Sequence, residues 1–91
     1  MAYVYMVKCV DGTFYTGWTV NLEQRLQRHN AGKGARYTRA RRPVSLIYWE
    51  ACSDRSEAQK REAAIKKLDR AQKERLVVMF REIRSDEYSS L

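Results

Sequence analysis

The chain opens with a run of β-branched and aromatic residues, AYVYMVKCV over 2–10, and this predicts a strand. Asp11-Gly12 is a hairpin signal, and TFYTGWT over 13–19 reads as the returning strand. Asn21, with Gln24 three residues later, reads as a helix N-cap. The helix it starts, NLEQRLQRHN, should run to about Ala31 and stop at Gly32. A loop rich in Gly and Arg is expected from Gly32 to Pro43, then a third strand over 44–52, VSLIYWEAC. Asp54 with Glu57 predicts a cap for a helix over 55–67, and Asp69 with Gln72 a cap for one over 70–83. Leu76, Val77, Met79, Phe80 and Ile83 should dock the last helix on the core, and residues 85–91 are expected to fray. The order β-β-α-β-α-α implies an α+β fold, one small three-stranded sheet flanked by three helices, in a single domain over 1–84.

Several polar residues fall on apolar stripes. On the first helix, Arg25 and His29 share the sector of Leu22 and Leu26, so a guanidinium and an imidazole lie one turn apart at the edge of the buried face. The plain alternative is a snorkelling arginine and a satisfied boundary histidine. On the second helix, Glu62 lies on the stripe of Ala58, Ile65 and Leu68. Buried carboxylates are paired or bind a metal, so Glu62 is either a salt-bridge partner, with Arg25 for example, or a metal ligand.

Tyr5 and Tyr15 depend on the hairpin. A two-residue Asp-Gly turn would pair Tyr5 with Trp18 and put the two rings on opposite faces. A three-residue loop, Val10-Asp11-Gly12, would pair Tyr5 with Gly17 and Tyr15 with Val7, so that both hydroxyls share one face. Both turns are open to this sequence. Gly17 opposite Tyr5 would leave open space over that face, suited to close approach of a substrate.

Charge adds a partner class. Lys+Arg 18 against Asp+Glu 11 gives +7, which suits a polyanion, nucleic acid above all. Seven basic residues, Arg25, Arg28, Lys33, Arg36, Arg39, Arg41 and Arg42, fall in a window without Asp or Glu that also holds His29 and Tyr37. This segregation predicts a basic face rather than an even solubility coat. A second group, which includes Lys66, is interspersed with acids and reads mainly as a solvated helix face. No apolar stretch reaches the ~20 residues of a membrane span, and the N-terminus does not resemble a secretory signal. Cys9 and Cys52 are too few and too far apart for a disulfide scaffold or a zinc site, so a reduced, cytoplasmic protein without a membrane role is expected.

Tyr3-Val4-Tyr5, then Tyr15-Thr16-Gly17, then Arg25 and His29 on a helix, then Glu62 in SEAQKREAAIKK, together resemble the GIY-YIG nuclease domain. The resemblance covers about residues 2–70, and HNAGKGARYTRARRPV is similar to the small stand-alone bacterial branch. Tyr3 stands where the family title has Gly, Thr16 where it has Ile, and Trp18 where many relatives carry a basic residue. The resemblance implies an antiparallel three-stranded sheet and phosphodiester cleavage with one divalent ion, Mg²⁺ or Mn²⁺, held by Glu62. It implies that Tyr5, helped by Tyr15 or His29, activates water, and that Arg25 stabilises charge on the phosphate. Tyr37 would lie near the scissile group. Gly17, Trp18, Lys33, Arg36, Arg39, Arg41, Arg42 and Lys66 would line the substrate path.

The leading expectation is a metal-dependent DNA endonuclease, structure-selective and set in repair or recombination, with DNA favoured over RNA. The alternative is a non-catalytic nucleic-acid-binding module on the same basic face, with exposed aromatics such as Trp18 stacking bases. A small protein-interaction domain is a third class, supported by size alone.

Overall fold

The hairpin takes the three-residue form. In the computed structural model, which describes the backbone of residues 1–89 and the side chains of 1–84, β1 (Ala2–Lys8) pairs with β2 (Phe14–Thr19) so that Tyr5 faces Gly17 and Val7 faces Tyr15. Gly12 closes the loop at φ 86°, its N–H donates to the Cys9 carbonyl at 2.9 Å, and the Cys9 N–H donates to Thr13 at 2.8 Å. That left-handed residue is what permits the bulged turn, since a side chain there would be strained. β3 (Ser45–Cys52) pairs with the other edge of β1, giving an antiparallel sheet in the order β2-β1-β3.

Each main helix starts where its cap residue predicts. The Asn21 side chain accepts from Gln24 N–H at 3.0 Å and opens α1 (Leu22–Asn30). Gly32, at φ 78°, ends it: its N–H donates to His29 O at 3.2 Å, and Lys33 N–H donates to Arg28 O at 2.9 Å. The expected loop from 32 to 43 holds a short helix, α2 (Arg36–Arg39). Among the described residues there are therefore four helices rather than three. One turn with no apolar repeat leaves no periodic signal in the sequence. Asp54 caps α3 (Arg55–Lys66) by accepting from Glu57 N–H at 2.8 Å. Asp69 and Gln72 cap each other's N–H groups at 2.8 and 3.0 Å, and α4 (Arg70–Ser89) follows. Its backbone continues past the expected end at residue 83, where no Gly or Pro intervenes. Residues 90 and 91, and the side chains of 85–89, lie outside the described residues.

The alternating strand faces make two cores. Ala2, Val4, Met6, Tyr48 and Cys52 pack with Ala58 and Ile65 of α3 and Val77 of α4. On the opposite face, Tyr5, Val7, Cys9 and Val44 gather Tyr15 and, from α1, Leu22 and Leu26. Cys9 and Cys52 are both buried and free, one in each cluster.

Candidate active site

The second core carries the polar residues that the helical wheel picked out. α1 projects His29 inward until it is fully buried, while Arg25, one turn earlier, is half-buried. The hairpin register puts Tyr5 and Tyr15 on that same face. The Tyr5 hydroxyl lies 2.7 Å from His29 Nε2, and Arg25 Nε donates to the Tyr5 oxygen at 3.2 Å. Tyr15 meets the His29 ring edge-on at 5.4 Å and stacks with Tyr37 at 6.1 Å.

Gly17 is needed here for a reason other than the expected one. A β-carbon at Gly17 would fall 2.6 Å from the Tyr5 hydroxyl oxygen. The space over Gly17 is filled by Tyr5 itself, and Gly17 is buried, so it makes room for Tyr5 and not for a substrate.

Burial sets the protonation states. It pushes the Tyr5 phenol above its ordinary 10.0, against the pull of the Arg25 hydrogen bond and charge, and the charges of Tyr15 and Glu62 add to the rise. Burial, then the Arg25 charge, lowers His29 from 6.5 to about 4. Tyr5 and His29 therefore meet as neutral phenol and neutral imidazole at neutral pH. Burial opposes the charge of Arg25 too, but its hydrogen bond to Tyr5 and the nearby phenols outweigh that and raise its pKa above the ordinary guanidinium value.

Glu62 lies on α3, and its charge acts on Tyr5. It is not paired with Arg25. Lys66, one turn along the same helix, donates to Glu62 Oε1 at 3.2 Å, with the lysine side chain 50% exposed and the carboxylate 22%. Among the described residues no group of three or more His, Cys, Asp or Glu side chains is assembled. An ion at Glu62 would have one carboxylate from the protein, a donor set that suits Mg²⁺, which keeps several waters and shares its remaining positions with phosphate. Trp18 packs partly against the first core, and with Thr19, Val20, Arg25 and Arg55 it lines a shallow depression.

The basic segment divides into two groups. Lys33, Arg36 and Arg39 are exposed and form no ion pair among the described residues. Arg41 and Arg42, expected on the substrate path, are engaged within the fold. Arg41 donates to Asp11 Oδ2 at 3.1 Å and to the Tyr37 carbonyl at 2.9 Å, and its guanidinium lies 4.0 Å from the centre of the Tyr37 ring. Arg42 Nε donates to the Arg39 carbonyl at 2.9 Å. A loop with few apolar contacts borrows these side chains as braces, which sequence charge alone does not distinguish from ligand contacts.

This geometry has relatives. The sequence model of the GIY-YIG catalytic domain matches residues 1–75. The chain belongs to the GIY-YIG family, a family of nucleases. A UPF0213 protein of Desulfotalea psychrophila is 59% identical over 76 residues, covering 82% of this chain and 69% of that one. A UPF0213 protein of Halobacterium salinarum is 53% identical over 76 residues, 84% of this chain and 99% of its own. Two solution NMR structures share the fold. A UPF0213 protein of Bacillus halodurans has a TM-score of 0.56 at 42% identity, covering 87% of this chain and 85% of that one. A protein of E. faecalis has a TM-score of 0.58 at 49% identity, with 87% and 84% covered.

Three residues in and around this candidate site carry no sequence-level expectation. Thr38 is fully buried, 2.8 Å from His29 Nδ1. Asn30 accepts from Val44 N–H at 2.7 Å and donates to Val44 O at 3.1 Å, tying the end of α1 to the start of β3. Arg55 lies beside Arg25 in the depression. Arg55 was detectable as a cation in the first turn of a helix, where the dipole disfavours it. Thr38 and Asn30 had no signal, because both act across the loop between α1 and β3.

Proposed function

We propose that this chain is a divalent-metal-dependent endonuclease that cuts phosphodiester bonds in DNA. The observation that carries the reading is the convergence of Tyr5, Tyr15, Arg25 and His29 on one sheet face. The two tyrosines divide the work by burial. Tyr5 is 2% exposed and its oxygen is engaged by both Arg25 and His29, so it orients the site. Tyr15 is only partly buried and presents the hydroxyl that meets the attacking water. Arg25 is anchored through Nε and turns its terminal NH₂ groups to the phosphate as charge grows there. Glu62 would hold the ion, Mg²⁺ or Mn²⁺, which when bound would supply positive charge to polarise the phosphate and stabilise the leaving oxygen. The Lys66 pair with this carboxylate is half-exposed and therefore weak, so it would not bar Glu62 from holding an ion.

Arg55 and Trp18 bind the strand next to the cut, and Lys33, Arg36 and Arg39 hold phosphates further along. These contacts are to backbone charge, so binding is salt-sensitive and poorly sequence-specific. A preference for branched or single-stranded DNA, a place in repair or recombination, and a cytoplasmic setting follow as the biological reading. Among the described residues no helix is long and apolar enough to cross a membrane.

The test is cleavage of labelled single-stranded, branched and duplex DNA with Mg²⁺ or Mn²⁺. Wild type should cut, Glu62→Gln and Tyr15→Phe should lose at least ~10²-fold, and chelator should abolish the reaction. Equal cutting by all three proteins would reveal a contaminant and refute the assignment. Salt-sensitive binding without any cutting would favour the non-catalytic module instead.

A further inference from the structure

The hydrogen bonds around His29 form a chain whose two ends have fixed chemistry. Arg25 Nε–H can only donate, and it donates to Tyr5 Oη at 3.2 Å. The Ala35 carbonyl can only accept, and it accepts from Thr38 Oγ1 at 3.0 Å. Between these ends lie the Tyr5–His29 Nε2 contact of 2.7 Å and the His29 Nδ1–Thr38 contact of 2.8 Å. Thr38 has a single hydroxyl proton and gives it to Ala35, so its oxygen must accept from His29 Nδ1–H. A neutral imidazole carries only one N–H, so Nε2 is bare and must accept from the Tyr5 hydroxyl. Tyr5 has then given up its only proton, which leaves its oxygen to accept from Arg25. One assignment of protons satisfies all four bonds.

We infer that Thr38, on α2, is a positioning residue that fixes His29 as its Nδ1–H tautomer and thereby turns the Tyr5 hydroxyl proton away from Arg25. The surroundings permit no substitute partner. His29 and Thr38 are both fully buried, and a β-carbon at Gly34 would fall on the imidazole, 2.9 Å from the His29 Cα. A protein backbone that close leaves no room for water at Nδ1. The low pKa of His29 keeps the ring neutral, as the assignment requires.

The consequence for the site is directional. With the opposite tautomer, Nε2–H would donate to Tyr5, whose oxygen would have to accept from both His29 and Arg25, while Thr38 would have to give up Ala35 to donate to Nδ1. Two donors competing for one oxygen would loosen the Arg25 anchor and with it the aim of its NH₂ groups. The effect on cleavage rests on the nuclease reading; the tautomer itself does not.

The chain has a single histidine, so ¹⁵N-histidine labelling reports on His29 alone. In wild type at neutral pH, two-bond ¹H–¹⁵N spectra should show Nδ1 protonated and Nε2 unprotonated. Thr38→Val, nearly isosteric, removes the acceptor and should move the ring to the Nε2–H form or a mixture. Thr38→Ser restores the hydroxyl in a smaller side chain and should restore the wild-type pattern. An Nε2–H ring in wild type, or a Thr38→Val ring that stays Nδ1–H, overturns the inference. In the cleavage assay, Thr38→Val should lower kcat about tenfold, the effect of one misplaced hydrogen bond, with KM within about twofold and recovery in Thr38→Ser. Wild type with the expected spectrum but no cleavage would overturn the nuclease reading and leave the tautomer standing.

Discussion

Acidification should destabilise the folded chain through His29. The ring is fully buried and its pKa falls from 6.5 to about 4 on folding, so the unfolded chain binds a proton that the folded chain refuses. Stability therefore rises with pH across that window. His29 costs nothing above about pH 7, and the loss grows as pH falls below 6.5 and levels off below about 4. The interval from 6.5 to about 4, at 1.36 kcal/mol per unit, is worth about 3 kcal/mol, most of which is lost by pH ~4.5. That is a large share of the ~5–15 kcal/mol that holds a domain together. Asp11, whose pKa is lowered from 3.8 by its Thr13 hydrogen bonds, titrates below this window and does not mimic the effect. Urea unfolding followed by circular dichroism at about pH 7.5 and 4.5 should show the midpoint falling by about 2 M, for an m-value of ~1.5 kcal/mol/M. His29→Gln lowers stability at both pH values by disturbing the buried chain of hydrogen bonds, but it removes the titrating group and should flatten the pH slope. A wild-type midpoint that does not move with pH, or an equal slope in His29→Gln, would refute the reasoning.

Gly17→Ala should cost ~1–3 kcal/mol, because the new carbon collides with the Tyr5 hydroxyl at 2.6 Å and Tyr5 is held by two partners. A thermal melt should show this as a drop of about 4–8 °C per kcal/mol, and an unchanged melting temperature would count against the packing. Asn30→Ala should lose ~1–3 kcal/mol by chemical denaturation, since it strips both Val44 backbone groups of their partner. Replacing Lys33, Arg36 and Arg39 together with Ala should weaken DNA binding and reduce the slope of log affinity against log salt by ~0.7–0.9 for each phosphate that is no longer neutralised. Replacing Arg41 should change that slope little, because its guanidinium is already committed to Asp11 and Tyr37, and a titration by fluorescence anisotropy separates the two cases.

Local sequence determined most of the frame. Asn21, Asp54 and Asp69 start helices because a short polar side chain reaches a backbone N–H three residues on, an interaction contained within a few residues. Gly32 ends α1 because it adopts a left-handed conformation cheaply. The helical wheel alone placed Arg25 and His29 together, since positions one turn apart share a face whatever surrounds them. The family motifs, spread over β1, β2, α1 and α3, were legible for the same reason: their order and spacing lie along the chain.

Only the tertiary structure decided what depends on residues distant in sequence. Either hairpin loop suited Asp11-Gly12, and the packed sheet selected the one that unites Tyr5 with Tyr15. Gly17 looked like room for a substrate until the Tyr5 ring filled it. Arg41 and Arg39 are equivalent by charge, yet one meets Asp11, thirty residues away, and the other stays exposed. Thr38 gave no sign in sequence at all. A threonine among arginines gains its meaning only when α2 brings it to the far side of His29, because hydrogen-bond direction belongs to the assembled chain of donors and acceptors and not to any one residue.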